Sequence, residues 1–286
     1  MKTPAHCPMP PTAARPVIVV LGSGRSGTSL LMQVLAVLGM GVSEELIQAR
    51  RDNPEGFFED APIVRIQADL LRALGAWPYH PLPADWLELP ATAAAREALR
   101  TVLGRRLGLD NLWGFKDPRT AAFLPVWQQL FAEEGLMPKY ILALREPGSV
   151  IRSFMRAYDT PPEVAERVWL QRVCDALWHT RGECHIVHYE DWFRRPRDVA
   201  EGLARHTGLP EVAEAVLLAT VKPGLDRAGG VDYVMVSEAA RRLDDALQTC
   251  RGGDFDRESL LRTVVRCRKS TKAAWPSFEE PAQPPR

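Results

Sequence analysis

Val17-Ile18-Val19-Val20-Leu21 is an unbroken apolar run that passes directly into Gly22-Ser23-Gly24-Arg25-Ser26-Gly27 and then into an apolar helical pattern from Thr28 to Leu38, closed by Gly39. A short β-branched run with no polar alternation suits a strand buried on both faces of a parallel sheet, and a glycine past the last helical residue supplies a left-handed stop. Strand, glycine loop and helix in this order make an anion site, because free backbone N–H groups and the helix dipole converge on the loop.

The remainder of the chain repeats the alternation. Strands are expected at Leu112–Lys116, Tyr140–Leu144 and His185–His188, separated by helical patterns around 120–135 and 161–181. Further helices are expected around 61–75, 91–107, 197–207, 210–220, 237–250 and 256–267. This pattern predicts an α/β fold, a P-loop-like parallel sheet flanked by helices in a single domain, with ligands at the carboxyl ends of the strands. The domain is expected over residues 16–272, between a proline-broken, disordered N-terminus at 1–15 and a flexible tail at 273–286.

Charge and cysteine content narrow the function classes. Lys+Arg and Asp+Glu are both 36, so the chain is formally neutral, which argues against a nucleic-acid-coating role. The five cysteines are odd in number and lack CxxC spacing, which disfavours a disulfide framework and a zinc site and points to a cytoplasmic setting. Neither a signal-peptide-like apolar run nor a membrane-spanning stretch of roughly 18 apolar residues is present, so no membrane span is expected.

The anion that the glycine loop holds is open to three readings. A Walker A loop has the spacing of Gly22 and Gly27, but Thr28 stands in the lysine position and the strand at 140–144 ends in Arg145 rather than an acid. A dinucleotide site of an NAD(P)- or FAD-dependent oxidoreductase fits Gly22, Gly24 and Gly27, with Glu44 and Glu45 about 20 residues on. That reading needs a second strand before the acid, and only Met40-Gly41-Val42 separates Gly39 from Ser43. The third reading rests on Arg25 inside the loop, with hydroxyls at Ser26, Thr28 and Ser29.

Gly24-Arg25-Ser26-Gly27-Thr28-Ser29-Leu30-Leu31 resembles the 5′-phosphosulfate loop of the sulfotransferases that use 3′-phosphoadenosine 5′-phosphosulfate (PAPS). A second segment strengthens the resemblance: Arg145 ends a strand and Ser153 follows eight positions later, the arrangement of that family's 3′-phosphate segment. An arginine fork and a helix hydroxyl so spaced suit one phosphate group. Looser similarity runs from about residue 16 to 208 and takes in 53–59, 116–119 and Tyr189-Glu190-Asp191. It is nearer the bacterial and the tyrosylprotein or carbohydrate branches than the cytosolic small-molecule branch. That last branch has a catalytic histidine two residues after its lysine, where this chain has Pro118, and its C-terminal Arg-Lys-Gly is only echoed by Arg268-Lys269-Ser270.

The resemblance implies a transferase that binds PAPS as co-substrate, without a metal, through Ser23, Gly24, Arg25, Ser26, Gly27, Thr28, Ser29, Arg145 and Ser153. Arg25 and Lys116 are the candidate cations for the sulfonate and leaving group, although Lys116 could instead be ion-paired to a carboxylate, and Arg119 could join the site or pair with Asp117. With no histidine at 118, a carboxylate is the natural base. Glu59, beside Phe57 and Phe58 whose rings would desolvate it and line an acceptor pocket, is the candidate, with Glu45 as the alternative. Asp60 is read as a helix N-cap, Tyr189 to Asp191 as a turn-orienting triplet, Trp77 to His80 as an acceptor-side lid, and Lys222 with Arg227 as a loop over the nucleotide. The acceptor is a small molecule, carbohydrate, lipid or peptide bearing a hydroxyl. A nucleotide-binding protein of this fold without catalysis is the remaining alternative.

Overall fold

β1, Arg15–Leu21, begins two residues before the apolar run and is fully buried from Val17 onward. Its side chains alternate between two cores: Val17, Val19 and Leu21 face one set of helices, while Ile18 and Val20 face another. The computed structural model describes residues 15–49, 56–76, 82–109, 112–222 and 233–273.

In chain order the elements are α1 (Thr28–Val37), α2 (Ala61–Ala73), α3 (Pro90–Leu109), β2 (Gly114–Lys116), α4 (Thr120–Glu133), β3 (Leu136–Leu144), α5 (Pro147–Tyr158) and α6 (Pro162–Thr180). They are followed by β4 (His185–His188), α7 (Asp191–Arg194), α8 (Pro196–Thr207), α9 (Glu214–Thr220), α10 (Glu238–Leu247) and α11 (Arg257–Ala273). Among the described residues the sheet is parallel with strand order β2-β1-β3-β4. Helices α1, α8 and α9 cover one face through Leu31, Leu35, Leu203 and Leu217. The opposite face packs under α2, α3, α4, α6, α10 and α11, with Trp127, Trp169, Leu243 and Val264 in its core.

The strand order matters for the site. From β1 the chain first adds β2 on one side, then crosses back to add β3 on the other. The carboxyl ends of β1 and β3 therefore flank a topological switch point, where an open parallel sheet leaves a ligand crevice. Register places Leu21 beside Leu142 and Val20 beside Lys116, so the glycine loop, Arg145 and Lys116 all leave the same edge of the sheet.

Gly22 is dictated by this packing. Its φ is +145°, and a Cβ there would lie 2.7 Å from the Ala143 carbonyl oxygen of β3. The helix expected around 210–220 starts only at Glu214, with Ala213 extended as its N-cap, and α11 continues past Cys267 to Ala273. Trp86 and Trp113 are core residues: Trp86 meets Phe123 edge to face at 5.6 Å, and Trp113 stacks on Phe115 at 5.1 Å. Trp77, Tyr79 and His80 of the expected lid lie outside the described residues, as do Arg227 and residues 53–55.

Candidate active site

The loop between β1 and α1 has the features of an anion cradle. Gly27, at φ +80°, is the N-cap of α1 and offers that helix no side-chain cap. The opposite arrangement holds at α5, where Glu146 accepts from Gly148 N at 2.7 Å and Ser149 N at 2.6 Å and so occupies its own helix start. Within the loop, the Ser23 and Ser26 hydroxyls are buried and have no hydrogen-bond partner. Buried orphan hydroxyls beside an uncapped helix start suit a ligand rich in acceptor oxygens. Arg25 sits at φ +74°, a left-handed conformation that costs a non-glycine residue about 1 kcal/mol or more. Ser29 turns outward from α1 and donates from Oγ to the Phe57 carbonyl at 3.1 Å, tying the 57–59 segment to the loop.

Arg25 reaches across the crevice: its Nε donates to Ser153 Oγ on α5 at 2.9 Å. The two segments identified separately in the sequence thus meet through their side chains. Arg145, just past the end of β3, has its guanidinium carbon 4.5 Å from the centroid of the Tyr189 ring. That ring also abuts the glycine loop, because a Cβ on Gly27 would stand 2.2 Å from Tyr189 Cδ2. Tyr189 is therefore a spacer between Gly27 and Arg145. The turn-orienting role expected of Tyr189-Glu190-Asp191 does not include this contact, and the sequence signal for it is the position of Tyr189 just beyond β4, at a carboxyl strand end. Arg145 also borders a cavity of about 200 Å³ with Glu146, Trp169, His188, Glu190 and Arg251.

The candidate catalytic pair lies on the β2 side of the loop. Lys116 Nζ and Glu59 Oε1 are 2.6 Å apart and both residues are buried. Glu59 is held there by a short antiparallel pairing, in which Ile47 N donates to Glu59 O and Ala61 N donates to Glu45 O, each at 2.8 Å. The same pairing separates the two candidate bases. The Glu45 carboxylate accepts from Arg106 Nη2 of α3 at 2.9 Å and is largely exposed, whereas the Glu59 carboxylate turns to the strand end. Asp60 caps α2 by accepting from Ile63 N and pairs with Arg106 at 2.8 Å.

Arg119 pairs with Asp117, whose carboxylate accepts from Arg119 Nε at 3.0 Å, Arg119 N at 2.9 Å and Gln67 Nε2 at 2.7 Å. Burial on its own would lower the Arg119 pKa, but the Asp117 and Glu59 carboxylates outweigh it and raise it, so the guanidinium stays charged. His188, Nε2 of which lies 2.7 Å from Arg251 Nη1 and 3.0 Å from Cys250 O, is held neutral: burial and then Arg251 push its pKa down to about 4.

Two further residues of this region escaped the sequence reading. Glu166 of α6 is a buried carboxylate that accepts from Tyr233 Oη at 3.0 Å, Val236 N at 2.9 Å and Ser237 N at 2.7 Å, fastening the 233–237 segment. Residue 148 has no room for a side chain beneath that segment, since a Cβ there would lie 2.8 Å from Tyr233 O. Arg172 of α6 projects toward Gly24. Neither mid-helix residue carries a local motif.

The second strand that a dinucleotide site requires is absent among the described residues: Gly41 forms a single bridge to Trp113, and Glu45 is committed to Arg106. No helix among the described residues is long and apolar enough to cross a membrane.

No curated protein sequence matches the chain. Among solved structures, the chain resembles the sulfotransferase domain from the olefin synthase of Synechococcus PCC 7002 at 19% identity, covering 92% of this chain and 96% of that one, with a TM-score of 0.48. It also resembles the sulfotransferase domain from the curacin biosynthetic pathway, at 20% identity, 91% and 99% coverage and TM-score 0.48. For sulfotransferase STF9 from Mycobacterium avium the values are 16% identity, 90% and 77% coverage and TM-score 0.48. A family model described as the sulfotransferase family matches residues 16–214, well over half of the chain, and with the anion loop and strand order already in place, the chain belongs to the sulfotransferase family.

Proposed function

We propose that this sulfotransferase moves the sulfonate group of PAPS to an acceptor hydroxyl and releases adenosine 3′,5′-bisphosphate. The observation that carries the reading is the 2.9 Å contact between Arg25 and Ser153, which joins the 5′-phosphosulfate loop to the 3′-phosphate segment across the switch-point crevice. A donor with phosphate groups at both the 3′ and 5′ positions of its ribose needs two anion-binding segments that face one crevice.

In this reading Ser23, Gly24, Arg25, Ser26, Gly27, Thr28 and Ser29 hold the 5′ end. Arg145 and Ser153 serve the 3′-phosphate. Glu59 takes the acceptor proton as the acceptor oxygen bonds to sulfur; the bond from sulfur to the 5′-phosphate oxygen breaks and its electron pair stays with the departing phosphate. Lys116 orients Glu59 through their 2.6 Å contact and adds positive charge near the transferred group. No step here is assigned to a metal. The acceptor is a hydroxyl-bearing small molecule, carbohydrate, lipid or peptide.

Thermal shift tests the donor assignment, because a ligand that binds the native state raises the melting temperature by mass action. Protection by adenosine 3′,5′-bisphosphate, with none by NAD(P) or Mg-ATP, is the expected result. The reverse pattern overturns the reading. Labelled PAPS offered with phenols, sugars, lipids and peptides then identifies the acceptor, and tight bisphosphate binding without transfer to any of them would favour the non-catalytic alternative.

A further inference from the structure

We infer that Arg172, on α6, is a second donor-site cation, acting on the 5′-phosphosulfate beside Gly24; the inference rests on the PAPS reading above. The placement comes from Gly24. A Cβ built on that glycine would lie 3.4 Å from Arg172 Nη1 and 3.8 Å from Pro118 Cγ, so the guanidinium borders the loop where it has no side chain.

Charge accounting shows why such a group is needed. The phosphosulfate bears one negative charge on phosphorus and one on sulfur, and further charge accumulates on the phosphate oxygen as the sulfur leaves it. The sequence-identified cations near the loop are largely engaged. Lys116 is matched by Glu59 at 2.6 Å and Arg119 by Asp117 at 3.0 Å. Arg145 lies over Tyr189, and Arg25 directs its Nε to Ser153. These pairings offset part of the positive charge beside the loop, so the 5′ end calls for more than Arg25 and Lys116. The Ser23 and Ser26 hydroxyls, buried and without partners, independently suit an acceptor-rich ligand at the loop. Arg172 is half-buried on a helix whose neighbouring turns are locked by Trp169 and Val173 in the core, which fixes the base of its side chain.

Titration calorimetry on the full chain with two ligands tests this. Adenosine 3′,5′-bisphosphate has the 5′-phosphate that Arg172 would touch; adenosine 3′-monophosphate lacks it. Arg172→Gln should raise the Kd for the bisphosphate by about tenfold or more, the loss expected for one charge-assisted contact, while leaving the monophosphate within about twofold. Arg172→Lys should fall between. Gly24→Ala supplies a second measurement: the protein has room for the methyl group, so the melting temperature should hold while bisphosphate affinity drops. Equal losses for both ligands in Arg172→Gln, or wild-type affinity in both variants, would overturn the assignment. If the wild-type chain binds neither ligand, the PAPS reading itself fails, and the Arg172 assignment with it.

Discussion

Lys116 and Glu59, 57 residues apart in the sequence, form a buried ion pair of 2.6 Å at the carboxyl end of β2. Each is a candidate for chemistry on its own, and the contact makes them one unit. Removing either partner leaves a buried charge without its counterpart, so the mutational behaviour of the pair should be non-additive.

Glu59→Gln should retain affinity for adenosine 3′,5′-bisphosphate and lose turnover by roughly 100-fold or more, the scale of a missing general base. It should also lower the melting temperature, because Lys116 stays buried. The double variant Glu59→Gln/Lys116→Met should regain stability without regaining turnover. Glu45→Gln, whose carboxylate is engaged by Arg106, should turn over at a near-native rate; if it is the inactive variant and Glu59→Gln is active, the base is misassigned.

Tyr189 is wedged between Gly27 and Arg145. Tyr189→Leu removes the aromatic surface under the guanidinium, and bisphosphate affinity should fall several-fold, consistent with a cation–π contact of about 1 kcal/mol. Gly27→Ala should cost more in stability than an ordinary surface change, since φ is +80° and the new methyl overlaps the tyrosine ring. Combining the two should recover the steric part alone, leaving about 1 kcal/mol of backbone strain. Chemical denaturation of the three variants measures both quantities.

Stability should decline as pH falls through the histidine range. His185 is held to a pKa of about 4 by burial and then by His206 and Arg205, and His188 to about 4 by burial and then by Arg251. Their unfolded-state value is about 6.5, so the unfolded chain takes up these protons first as pH drops. The contribution is fully present above about pH 6.5 and is lost progressively toward pH 4, at about 1.4 kcal/mol per unit for each fully responding group. Urea midpoints between pH 7 and 5 should show the slope, and His185→Leu should reduce it. An unchanged slope in that variant would remove His185 from the account.

Glu166→Ala withdraws the acceptor for two backbone N–H groups and the Tyr233 hydroxyl. A loss of about 3 kcal/mol is expected for a buried charged acceptor with several donors, together with faster proteolytic cleavage near 233–237. Cleavage at wild-type rates would mean that the segment is held by other contacts, such as its packing over Gly148.

Much of the frame is readable from local pattern. The β-branched run at 17–21, the glycines at 22 and 27 and the apolar helix after them allow few backbone conformations, and the structure places a buried strand, a loop and α1 there. Arg145 and Ser153 stood out only through the resemblance, in which a strand-ending arginine is followed by a serine eight positions later. The partnerships were not legible. Ser153 meets Arg25, not Arg145, since the β2-β1-β3-β4 order sets α5 against the loop. Glu45 and Glu59 look alike in sequence, and only the 45–61 pairing turns one toward Arg106 and the other toward Lys116.

The sequence by itself thus determined the parallel α/β architecture and the glycine loop that opens α1, because hydrophobic periodicity and glycine conformational freedom act over a few neighbouring residues. Tertiary structure decided which charge faces which. Arg25 finds Ser153 across 128 residues, Tyr189 separates Gly27 from Arg145, and Arg172 arrives over Gly24 from a helix with no motif of its own. Those distances are set by how β1 sits between β2 and β3, a property of the whole chain that no local segment encodes.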